Sequence, residues 1–175
     1  MTHFGDRLTE ANRRTATPLC MGIDPHIHMI PDIFGNAQDG AASDAAIRAI
    51  NDFSMACLEQ AIGNVAAIKP QAAFFEQQGP AGLQILQNLG RAAIDAGLLV
   101  IMDAKRGDIG STSTAYAAGW IGHEAPFPSD ALTVNPWLGI DTLAPFLDHA
   151  DATGSGLFIL NRTSNPGAGD LQDQI

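Results

Sequence analysis

Charged side chains are scarce in this chain. They make up 16% of its 175 residues, against 46% hydrophobic ones. That balance excludes a disordered polymer and implies a packed globular protein, long enough to bury a real core as a single domain over residues 1–175. Positive charge is scarcer still. A net charge of −10 argues against a nucleic-acid binder, and the short basic cluster Arg13-Arg14 has no aromatic platform beside it. The two cysteines, Cys20 and Cys57, lack CxxC spacing and read as buried thiols in a reducing cytoplasm. No apolar run approaches the ~20 residues of a membrane span, so no membrane partner is expected. The start, Met1 to Arg7, has no basic segment followed by an apolar one, and no secretory leader is expected. Neither GxGxxG nor GxxxxGK[ST] occurs.

What the chain does have is one concentrated stretch, Leu99-Val-Ile-Met-Asp-Ala-Lys-Arg-Gly-Asp-Ile-Gly-Ser-Thr112. Its apolar run, Leu98 to Met102, reads as a buried strand. Asp103, Lys105 and Asp108 follow at once. Residues two apart on a strand face the same side, so Asp103 and Lys105 point together. Gly107 and Gly110 break the strand into a loop that carries Asp108, and Ser111 or Thr112 can cap the next helix. Charges at the C-terminal end of a parallel strand stand where α/β enzymes place their chemistry. The plain alternative is a surface salt bridge.

Taken in order, Phe4 to Arg14 is an amphipathic segment, with Phe4, Leu8 and Ala11 at helical spacing, that covers the bottom of the domain. Thr17 to Ile23 is a first strand tipped by Asp24, and Pro25 stops it. His26 to Gly40 is a long loop. His26 and His28 could share a metal, but no third ligand stands near them. A helix starts at Ser43, with Ile47, Ile50, Phe53, Ala56, Cys57 and Ile62 on one stripe, and Gly63-Asn64 ends it. Val65 to Ile68 is the second strand and Lys69-Pro70-Gln71 its end. Ala72 to Glu76 is a loop or short helix against the mouth. Gly79 opens a helix with Leu83, Leu86, Leu89, Ala93 and Ile94 inward, closed by Gly97. After the central strand come a helix near Ser113 to Ile121, a strand Asp130 to Pro136, a helix Gly139 to Ala150 with Leu143, Phe146 and Leu147 inward, and a strand Gly156 to Leu160.

Strand and helix alternate at roughly 30-residue intervals, the mark of βαβ units and a parallel sheet. Five strands are legible, whereas a closed barrel has eight in ~250 residues. The chain is therefore α/β: about the first five βα units of a (β/α)8 TIM barrel, or a complete five-stranded open sheet. Charges closing three strands in succession (Asp24, Lys69 and Asp103) would converge at one mouth of a barrel.

Asp103-Ala-Lys105-Arg-Gly-Asp108-Ile109-Gly-Ser-Thr112 resembles the signature of the orotidine 5′-phosphate decarboxylases. Lys69-Pro-Gln-Ala-Ala-Phe-Phe-Glu76 and Gly22-Ile-Asp24-Pro25 resemble the longer, bacterial branch, and Arg162-Thr-Ser-Asn-Pro-Gly167 the loop after its fifth strand. The resemblance implies a TIM barrel that converts orotidine 5′-phosphate to uridine 5′-phosphate in pyrimidine biosynthesis, with no metal and no cofactor. It implies that Lys105 is the proton donor, that Asp103 lies beside the departing carboxylate, and that Lys69 holds Asp103 and a ribose hydroxyl. By the same resemblance Asp24 binds ribose and Ser164 contacts the pyrimidine, while Asp108, Ile109 and Thr112 reach into the partner's site of an obligate homodimer. The family pattern continues with three further strands and a loop whose glutamine and arginine grip the phosphate, and no residue here matches those. Two other readings stay open: a truncated, non-catalytic family member, and a Mg²⁺-dependent sugar-phosphate lyase or synthase on the same Asp-x-Lys-x-x-Asp scaffold.

Overall fold

The computed structural model describes residues 2–35 and 42–173. The expected loop His26–Gly40 lies partly outside the described residues; its described part holds two short 3₁₀ turns, Ile27–Met29 and Asp32–Phe34. Strands β1 (Cys20–Ile23), β2 (Ala67–Pro70), β3 (Leu99–Arg106), β4 (Ala131–Val134) and β5 (Gly156–Ile159) form one parallel sheet. Their order in space is their order in sequence. A doubly wound sheet reverses its order at a switch point. This one does not, so successive right-handed crossovers stack the helices on one face. Between the two architectures left open by the sequence, the strand order selects five βα units of a TIM-type barrel.

The pleat sorts the strand residues into two layers. Ile68, Val100, Met102, Leu132 and Val134 face outward and pack against the helices α2 (Asp44–Ala61), α3 (Ala72–Glu76), α4 (Gly79–Asp95), α5 (Gly110–Trp120) and α6 (Ala144–Thr153). Their neighbours Ala67, Leu99, Ile101 and Ala131 face inward, where the first helix α1 (Phe4–Thr15) covers them with Phe4, Leu8 and Ala11. The bottom of the inner face is thus plugged, as expected for this segment. Gly156 makes room for the plug, since a Cβ there would lie 2.5 Å from the Phe4 ring. The other end of the inner face, where the strands exit, is left for polar side chains. The short α7 (Gly169–Gln172) closes the described chain.

Several expectations need correction. Ser43 does cap α2, its hydroxyl accepting from the Ala46 amide at 3.1 Å. The face of α2 that meets the sheet is, however, Ala46, Ala49, Ile50, Ser54, Leu58 and Ala61, and Ile62 is exposed. Small residues let the helix lie close to the sheet, and bulk on the flanks packs beside it. Leu147 is likewise exposed, while Leu143 and Phe146 are buried. Neither Ser111 nor Thr112 caps α5: its N-cap is Ile109, with no side-chain cap bond, so both lie inside the first turn. Cys20 is exposed and Cys57 half-buried, because Cys20 lies on an edge strand of the sheet. The central strand runs four residues past Met102, to Arg106. No helix among the described residues is long and apolar enough to cross a membrane.

Close approach of α3 and α4 gives a direct test of packing. A Cβ on Gly82 would overlap the Phe75 carbonyl oxygen, whereas one on Gly5 in α1 meets nothing within 4 Å. Gly82→Ala is expected to lower stability by about 1–3 kcal/mol through overpacking, and Gly5→Ala to leave it unchanged or raise it. Urea unfolding midpoints of the two variants check this.

Candidate active site

Inward parity at the strand exits brings together side chains from three neighbouring strands. Lys69 stands on β2 and Asp103 on β3, with Lys105 two residues further along. The Lys69 ammonium donates to Asp103 Oδ2 at 2.7 Å. The Lys105 ammonium donates to Oδ1 at 2.5 Å. Gln71 Nε2, one residue past β2 and bridged to Asp103 through the backbone, donates to Oδ2 at 3.2 Å. Thr133 of β4 donates its hydroxyl to Oδ1 at 3.1 Å. Each carboxylate oxygen therefore accepts one ammonium and one neutral donor. Two oxygens offer about four acceptor positions, so Asp103 is saturated.

Asp103 is only 7% exposed. Burial opposes its ionisation and is the largest single influence. The hydrogen bonds from Lys105 and Lys69, with the charges of both ammonium groups, together outweigh it and hold the carboxyl below the ordinary aspartate value. The Lys105 side chain is about half exposed and the Lys69 side chain a third, so both cations face the open mouth. The arrangement presents a fixed anion between two accessible cations.

Backbone geometry at β3 is irregular here. The ladder with β4 pairs Met102 with Leu132 and then Arg106 with Val134, so a bulge intervenes. Lys105 sits in the left-handed region at φ +48°. A non-glycine residue there costs on the order of 1 kcal/mol. The simple i, i+2 alternation of a straight strand does not describe this segment, although the two side chains do meet. Past the bulge, Arg106 pairs with Glu76 of α3 and lies 4.5 Å over the Trp120 ring of α5. Those contacts fasten the strand exit to the helical layer.

The remaining residues singled out in the sequence make other contacts. Asp24 is exposed, one residue past the Ile23–Pro70 pair on the β1 exit. The Asp108 carboxylate accepts from the Ile109 amide at 2.7 Å, and the Asp108 carbonyl accepts from the Ser113 hydroxyl. Ile109 and Thr112 are exposed at the start of α5. Ser164 is exposed in the loop after β5, which is tied back to α7 by the Thr163 amide donating to Gln172 at 2.7 Å. Among the described residues, none of these five hydrogen-bonds to Lys69, Asp103 or Lys105. His26 packs on Phe74 at 4.1 Å and on His28 at 5.6 Å, an aromatic contact. No cluster of three potential metal ligands occurs among the described residues.

Sequence reasoning assigned no role to Gln71 and Thr133. Gln71 was visible in its motif but carries no charge. Thr133 shares inward parity with Ala131 on β4, which was the available signal. Asp130, at the opposite end of β4, was also missed. It is buried, accepts from Arg7 and from the Val100 amide at 2.8 Å, and lies 2.7 Å from His123 Nε2. It ties α1 to the sheet bottom. A cleft of ≈640 Å³ lies on that side, lined by Arg7, His123 and His149 among others. The charged cluster, however, is at the strand exits, and the candidate site is placed there.

The profile of the orotidine 5′-phosphate decarboxylase / HUMPS family matches residues 17–175. An orotidine 5′-phosphate decarboxylase of Rhodopirellula baltica is 43% identical over 99% of this chain and 59% of its own length. One of Streptomyces coelicolor is 45% identical over 100% of this chain and 60% of its own length. A solved structure from Streptomyces avermitilis, assigned to the same activity, superposes with a TM-score of 0.88 at 43% identity, covering all of this chain and 58% of that one. The chain thus spans about three fifths of the length of the relatives it matches.

The lowered Asp103 value has a pH consequence. A depressed folded-state pKa contributes stability that is present above the unfolded value of ~3.9 and is lost as pH falls through the folded value. Asp103→Asn is therefore expected to cost roughly 1–3 kcal/mol near neutrality, reduced by the partial exposure of both lysines. The gap to the wild type is expected to close as pH falls below ~4. Urea midpoints from pH 7 down to pH 3 check this, and a gap that is constant across that range refutes it.

Proposed function

Because the chain belongs to the orotidine 5′-phosphate decarboxylase / HUMPS family, we propose that its strand-exit cluster decarboxylates orotidine 5′-phosphate to uridine 5′-phosphate without a cofactor. The observation that carries this reading is the saturated, buried Asp103 held between Lys69 and Lys105. In the reaction the bond from C6 to the carboxylate breaks and its electron pair stays on C6. Carbon dioxide leaves, and C6 takes a proton. Such a step needs a fixed cation beside the developing negative charge and an acid within reach of it.

Lys105 supplies both. Its ammonium stabilises the charge at C6 and transfers a proton there, ending neutral until solvent restores it. Asp103 cannot serve as the acid, because its environment favours the ionised form and all its acceptor positions are filled. It is instead a permanent negative charge that the substrate carboxylate must approach and that carbon dioxide does not feel. Lys69 holds Asp103 and offers its remaining hydrogens to the ribose. Asp24, on the neighbouring strand exit, binds ribose hydroxyls, and Ser164 contacts the pyrimidine.

The same reading makes the working unit a homodimer, with Asp108, Ile109 and Thr112 entering the partner's site. The exposure of Ile109 and Thr112 at the α5 start supports it, as does the Asp108 carboxylate's bond to the Ile109 amide in place of any bond to its own cluster among the described residues. So does the bulk left uncovered on loops leaving the same strand ends: Ile109 at 63%, Trp137 at 70% and Ile140 at 77% exposure.

The test is turnover of orotidine 5′-phosphate, followed by absorbance in EDTA, with Lys105→Ala beside the wild type. Lys105→Ala is expected to lower kcat at least ~10³-fold. Turnover that vanishes with EDTA would favour a Mg²⁺-dependent lyase instead. Shared sites give a second outcome. Mixing inactive Lys105→Ala and Asp108→Ala chains should restore about a quarter of wild-type activity, since heterodimers hold one intact site in two. No recovery from chains shown to exchange subunits would remove the shared-site reading.

A further inference from the structure

Three residues of β3 (Asp103, Ala104 and Lys105) lie opposite Thr133 alone, because the ladder resumes only at Arg106 and Val134. A bulge of this kind strips backbone groups of their ladder partners. The Lys105 amide would be one of them. It donates instead to Thr133 Oγ1 at 2.9 Å. The same oxygen carries the hydrogen given to Asp103 Oδ1 at 3.1 Å.

The direction of both bonds is fixed by chemistry. A backbone N–H can only donate and a carboxylate can only accept. Thr133 is therefore acceptor to one and donor to the other, with no alternative rotor. It is 9% exposed, so the site offers little room for water to take its place. One hydroxyl thus sets the height of the Lys105 backbone relative to the Asp103 carboxylate, at the residue whose backbone is in the left-handed region. Gln71 Nε2 hydrogen-bonds the other oxygen, Oδ2.

We infer that Thr133 is a positioning residue for the reaction, holding Asp103 and Lys105 in register through its hydroxyl. The inference rests on the decarboxylase reading for its effect on rate, and on geometry alone for its effect on Asp103. Thr133→Val keeps the shape and removes the hydroxyl, leaving the Lys105 amide unpaired and Asp103 one donor short. Thr133→Ser keeps the hydroxyl.

The experiment uses the 175-residue chain in wild-type, Thr133→Val and Thr133→Ser forms, with Thr133→Ala in place of the valine variant should that chain not fold. Two readouts are taken: kcat and KM for orotidine 5′-phosphate, and the carboxyl titration of Asp103 by carbon-13 NMR. The valine variant is expected to lose roughly 10- to 100-fold in kcat, as displaced reacting groups do, with KM within about twofold. Serine is expected to restore kcat to within about threefold. Asp103 is expected to titrate at higher pH in the valine variant than in the wild type, and near the wild-type value with serine. A purely structural role would reduce the amount of folded protein and leave both readouts per folded chain unchanged. Wild-type kcat in the folded valine variant, or an unmoved Asp103 titration, overturns the inference. Should the wild-type chain itself show no turnover, the decarboxylase reading of this chain fails, and the Asp103 titration alone decides the role of Thr133.

Discussion

A carboxylate taken out of water must be compensated where it stands, and that requirement organises this molecule. An unpaired buried charge costs several kcal/mol, more than most single contacts return. Asp103 is compensated by donors from β2, from β3 itself and from β4. Those strands must therefore hold one register, with inward parity shared by Lys69, Asp103 and Thr133. The outward layer of Ile68, Val100, Met102 and Leu132 enforces the same parity from the other side, because a one-residue slip would turn it into the mouth. Hydrophobic packing and site electrostatics thus impose one constraint on β2, β3 and β4.

The inner face is divided along its length. At the strand starts it is apolar and covered by α1, with Asp130 and Arg7 binding that helix to the sheet. At the exits it is polar and uncovered. Burial of Asp103 itself lowers the local dielectric and strengthens each donor to it. The bulge in β3 then re-aims the chain. It lets Lys105 turn back to Asp103 and sends Gly107 and Asp108 outward to the α5 start, where the proposed partner site would take them. The cost is a left-handed backbone at Lys105, met by the Thr133 hydroxyl on one side and the clamp of Arg106 on Glu76 and Trp120 on the other.

Much of this was legible in the residues. The alternation of strand and helix, and the apolar face of α4 through Leu86, Leu89 and Ala93, follow from periodicity. The pairing of Asp103 with Lys105 followed from spacing, and its partner Lys69 from a repeated pattern of charged strand ends. The chain holds just two lysines, Lys69 and Lys105, and the fold brings both to one carboxylate. The roles of Asp108, Ile109, Thr112, Asp24 and Ser164 came through family resemblance, since nothing in their spacing specifies a contact. Bulky residues misled at Ile62 and Leu147, where hydrophobicity suggested burial and the helix faces turned otherwise.

The sequence by itself determined the class of fold, the strand that carries the charged cluster and the charges that compose the candidate site. Those properties are local: hydrophobic period, residue type and short spacing are all written in consecutive residues. Tertiary structure alone decided the rest. Strand order chose the barrel units over a complete open sheet, which as a doubly wound fold would have the same alternation and differ only in which strands are neighbours. The register between β3 and β4 made Thr133 part of the site, because a neutral side chain 30 residues downstream announces no partner until pairing places it opposite a bulge.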